Sequence, residues 1–146
     1  MTKETYNAAV DTLLDAWNNG DLMHGNCAKC AVGNLLQTSE WGIDFSTGVG
    51  IQWDKRNSKF IKDNSYDYSK LDNLYALHGF TREELMKIEY AFENSVLGET
   101  YQFIRSKEGQ YTGLCAVLDV MKDMVSEEVP HEENKERLTK VYKELV

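Results

Sequence analysis

His24, Cys27 and Cys30 are the residues of this chain whose types and spacing lend themselves to chemistry, because the stretch His24-Gly25-Asn26-Cys27-Ala28-Lys29-Cys30 holds two of the three cysteines and one of the three histidines. On a helix they fall at i, i+3 and i+6, so successive side chains lie about 60° apart around the axis and can share one face. Three uses follow. As metal ligands, a histidine and two cysteines suit zinc, which takes four tetrahedral ligands; Cys115 completes a Cys3His set if its helix packs against the first, and His78 substitutes if His24 lies outside the helix. As a redox pair, Cys27 is the attacking thiol and Cys30 the resolving one, with the helix N-terminus, Lys29 and His24 favouring the thiolate. As core residues, all three cysteines are small buried hydrophobes and Cys30-Ala31-Val32 and Cys115-Ala116-Val117 are thin surfaces where helices cross closely. We favour the third reading, under which no metal or cofactor is expected; zinc is the cofactor of the first.

The motif resembles, over a few residues, that of the alkylhydroperoxidase D type, Cys-x-x-Cys-x-x-x-His at the start of a helix; here Asn34 stands where that family has its histidine, so the proton relay the resemblance implies is missing. In fuller form, His24, Gly25, Cys27, Cys30, Ala31, Val32, Gly33 and Asn34 resemble a pattern in a group of small uncharacterised proteins of bacteria and their phages. That resemblance carries no activity. It implies a phage or mobile-element accessory factor, placed in the host cell cytoplasm.

A second cluster interleaves basic and aromatic residues: Trp53, Lys55, Arg56, Lys59 and Phe60, followed by Lys62. Such a patch can hold a phosphate, a stacked base or a partner surface. The whole chain opposes extended nucleic-acid contact, since 16 basic against 24 acidic residues leave a net charge of −8. An acidic surface is instead steered to a basic one, so the expected partner is a protein with a basic face. No phosphate loop, nucleophile elbow, zinc-protease helix or calcium loop is present. The expectation is therefore a small acidic interaction or regulatory protein rather than an enzyme, with the thiol oxidoreductase and the structural zinc module as alternatives.

The elements that must position these residues are legible from periodicity. At 146 residues with 42% hydrophobic and 27% charged, the chain suits one self-sufficient domain, 1–146. No apolar run is long enough to span a membrane, the first residues lack a secretory h-region, and three cysteines do not make a disulfide scaffold, which together indicate the cytoplasm. Tyr6, Ala9, Val10, Leu13, Leu14 and Trp17 recur at helical spacing over residues 3–18, closed by Asn19-Gly20. A central helix is expected from about Asn26 to Thr38, a short one through Leu71 to Leu77, and a third opened by Thr81-Arg82-Glu83-Glu84, a capping box with Phe80 and Leu85 as its hydrophobic staple. Further helices are expected over 110–126 and after Pro130. Residues 39–69 break the pattern with scattered aromatics and turn formers, and 50–53 and 59–62 suit a small hairpin. The expected fold is mainly α: an orthogonal bundle of five to six helices with a long aromatic-rich loop or small hairpin at 39–69, in which the two Cys-Ala-Val helices pack so that Ala31 meets Ala116.

Overall fold

A computed structural model describes residues 1–39, 41, 51–54, 59–62 and 69–145, without the side chains of 51–54, 59–62 and 69–70. The fold is mainly helical, with α1 (Lys3–Asn18), α2 (Ala31–Leu36), α3 (Ser69–Leu77), α4 (Arg82–Asn94), α5 (Tyr101–Ile104), α6 (Lys107–Lys122) and α7 (His131–Leu145). Strands β1 (Ile51–Asp54) and β2 (Lys59–Lys62) pair antiparallel, with Trp53 opposite Phe60 and Asp54 opposite Lys59 in the backbone register. Among the described residues no helix is long and apolar enough to cross a membrane.

Helix α1 forms as its spacing requires. Thr2 caps it by accepting from the Thr5 N–H, and Tyr6, Ala9, Val10, Leu13, Leu14 and Trp17 are all buried. Helix α4 begins at the capping box, in which Thr81 accepts from the Glu84 N–H and Glu84 accepts from the Thr81 N–H. Its apolar stripe of Leu85, Ile88 and Phe92 is fully buried. Against it lies α6, which presents Gly113, Leu114, Val117, Leu118 and Met121 inward. Helix α7 packs on the other side of α6 and on α1, where Asn134 donates to the Tyr6 hydroxyl at 2.8 Å and Trp17 stacks with Tyr142.

Three expectations need correction. Seven helices stand where five to six are expected among the described residues, the unforeseen one being α5, which Thr100 caps by accepting from the Phe103 N–H. The helix expected from Asn26 begins only at Ala31: the Asn26 side chain takes the Ala28 N–H, and its carbonyl takes the N–H groups of Lys29 and Cys30, so residues 26–30 close into turns instead. The two Cys-Ala-Val segments are not paired as the internal echo suggests either. The main neighbours of α2 are α1 and α4, while those of α6 are α4 and α7.

Candidate functional site

Because residues 26–30 turn, the single helical face expected to unite His24, Cys27 and Cys30 does not form, and each does a different job. Cys30 is the residue before α2, and its sulfur accepts from the Gly33 N–H at 3.3 Å, as a serine hydroxyl does in a helix cap. Gly33 has to be a glycine, since a Cβ there would run into the backbone carbonyl of Cys27. Cys27 sits half-buried in the turn with its carbonyl held by the Trp41 indole N–H at 2.8 Å. Asn34, at the position where a relay histidine would stand, donates its amide to the carbonyls of Asp21, Lys29 and Cys30. That side chain is a buried brace for the turn, its amide N–H groups shared among three carbonyls.

His24 is 7% exposed and lies flat on Phe92, ring centroids 4.0 Å apart. Its Nε2 donates to the Gly109 carbonyl at 2.8 Å, tying the turn to the start of α6. Its Nδ1 faces Glu93 at 3.4 Å. The Glu93 carboxylate also accepts the Gly25 N–H with both oxygens, at 2.9 and 3.2 Å, so this acidic side chain of α4 fixes the glycine of the turn, while the buried Nδ1 of His24 has no hydrogen-bond partner among the described residues. Gly25 holds a φ of +73°, the left-handed conformation that glycine adopts without strain.

Between this turn and α4 opens a cleft of about 390 Å³ with chiefly apolar walls, lined among the described residues by Cys27, Trp41, Met86, Glu89, Tyr90 and Glu93, with Gly25, Asn26 and Asn94 at its edges. Glu89 is its most unusual member. Its Oε2 is shut off from solvent and receives no hydrogen bond from any described residue. Burial and the Glu93 carboxylate one turn away push the Glu89 carboxyl up to about 7, against the smaller pull of Cys30 and His24. The thiols respond in kind. Burial, then Glu89 and Glu93, raise Cys27; burial and Glu89 raise Cys30 far more, outweighing the Gly33 hydrogen bond.

The thiolate expected at a helix N-terminus is therefore disfavoured, because desolvation and then two carboxylates outweigh what a six-residue helix supplies. Nor does a Cys3His set assemble: Cys115 lies on α6 towards α7, raised by burial with Tyr111, Lys135 and Asp119 as its neighbours, and among the described residues no three His, Cys, Asp or Glu side chains converge as metal ligands. His78 lies in the turn after α3, half-buried, outside any such cluster among the described residues. The basic and aromatic patch falls on Lys55 and Arg56, outside the described residues, and on Trp53, Lys59 and Phe60, whose side chains are also outside them.

Nothing in the sequence context of Glu89 and Glu93 points to them: they are two glutamates on the helix that Leu85, Ile88 and Phe92 anchor. Their i, i+4 spacing does not set them apart, since Glu132 and Glu136 on α7 share it. No known protein family, curated protein or solved structure matches this chain.

Proposed function

We propose that the protein is a binding module, not a catalyst, and that its contact with a partner protein is built around the cleft between the Gly25–Cys27 turn and α4. The observation that supports this is the pairing of an open, apolar-walled cleft with a Cys27 thiol driven towards its protonated form: a site shaped to bury surface, whose cysteine is deactivated first by burial and then by Glu89 and Glu93. Tyr90, 53% exposed at the cleft, is the kind of amphipathic aromatic that anchors protein interfaces at low entropic cost. The net charge of −8 favours encounter with a basic partner surface and hastens association at low salt.

A photo-reactive amino acid placed at Tyr90, in cells making the protein, should give a discrete crosslinked product that the same group at exposed Lys122 on the far end of α6 does not. Adducts at neither position, together with peroxide consumption lost in Cys27→Ser, would overturn the reading in favour of a thiol enzyme.

A further inference from the structure

Glu93 has a fixed place: both oxygens accept from the Gly25 N–H, and one faces the His24 ring. Glu89, one turn earlier, contributes to an apolar wall with the Cys30 thiol as its hydrogen-bonding neighbour, no lysine or arginine among the described residues forms an ion pair with it, and Glu93 adds like charge. An apolar occupant of the cleft would strip the remaining water from this carboxyl and give nothing back, and an anion would be repelled by both glutamates. A cation supplies the missing partner.

Building on the binding-module reading above, we infer that the cleft takes an arginine side chain of the partner protein, with Glu89 as its counter-charge and the flanks of Tyr90 and Met86 as the surfaces it lies along. Arginine suits the site better than lysine for two reasons. Its guanidinium is planar and weakly hydrated, so it lies against an aromatic or thioether surface where a compact ammonium keeps its water. Its fork of donors also matches a carboxylate, which a point-charge ammonium does not.

The groups facing Glu89 are Glu93 from the same helix and His24, Cys27 and Cys30 from the turn packed against it. A cation that holds Glu89 as the carboxylate releases its proton, so binding should tighten by up to about tenfold between about pH 6 and about pH 8.

The test is an NMR titration of the full chain with three acetylated pentapeptide amides that carry arginine, citrulline or lysine at the centre. The arginine peptide should shift the backbone amides of Glu89, Tyr90 and Asn94, with citrulline, its neutral near-isostere, bound at least about tenfold more weakly and lysine in between. Glu89→Gln, which keeps the shape and removes the charge, should erase the arginine preference; if that variant misfolds, the arginine and citrulline comparison on the unaltered chain still decides. Equal binding of arginine and citrulline at the cleft would overturn the inference about charge while the Tyr90 crosslink, and with it the binding-module reading, stands. No shift at the cleft at millimolar peptide would also overturn it, and loss of the Tyr90 crosslink as well would take the binding-module reading with it.

Discussion

Cys30 occupies a position that serine and threonine usually hold, the residue just before a helix whose side chain accepts from the third N–H beyond it. A sulfur makes a long, weak bond there, and its apolar bulk is what the buried site uses. The two roles separate by substitution. Cys30→Ser keeps a cap acceptor and should leave stability within about 1 kcal/mol, whereas Cys30→Ala strands the Gly33 N–H and should cost about 1–2 kcal/mol, both read by urea denaturation. Equal losses for the two would mean that the thiol itself, through a metal or a redox partner, holds the structure. The sequence marks Cys30 as special by its spacing from Cys27 and His24; it does not show the reason, because the cap depends on where α2 starts. That start moved when Asn26 spent its side chain and carbonyl on a turn.

The crossing of α4 and α6 is set by one glycine. At Gly113 a Cβ would come within 2.7 Å of the Phe92 ring and 2.8 Å of the His24 ring, which are stacked on each other and cannot both retreat. On an exposed helix, glycine to alanine gains about 1 kcal/mol. Here the sign reverses: Gly113→Ala should lose about 1–3 kcal/mol through overpacking and displace His24, visible as a lower thermal midpoint and altered histidine ring resonances, while Gly98→Ala should leave that ring untouched. Element boundaries were legible where local chemistry fixes them. Thr81 and Glu84 open α4 through contacts three residues apart, and α1 follows from its apolar spacing alone. The cleft was not legible, since it needs the 26–30 turn, Trp41 and α4 in one place, and nothing in the order of residues says that Glu89 faces Cys30 rather than solvent.

At the scale of the molecule, Glu89 makes folding respond to pH near neutrality. Its carboxyl titrates near 4.5 when exposed and about 7 when folded, so the folded chain binds this proton more tightly. The contribution is complete below about pH 4.5 and drains away as pH rises through about 7, with an upper bound of about 3 kcal/mol. Glu84 works the other way and elsewhere: although burial pushes it up, hydrogen bonds from the N-terminal ammonium and from Thr81 hold it below its ordinary value, so its support is lost only in acid. Denaturant midpoints should therefore fall between about pH 5.5 and about pH 8, and Glu89→Gln should flatten that slope and be the more stable protein at the alkaline end. A slope unchanged in the variant would assign it to other groups. The same packing gives the protein an internal clock. Cys27 and Cys115 are half-buried and Cys30 is sealed beneath the turn, so a disulfide reagent meets two thiols at the pace of local breathing and the third only when α2 lifts from α4. The lag of that third thiol measures, in real time and with no added label, how often this layer of the molecule opens.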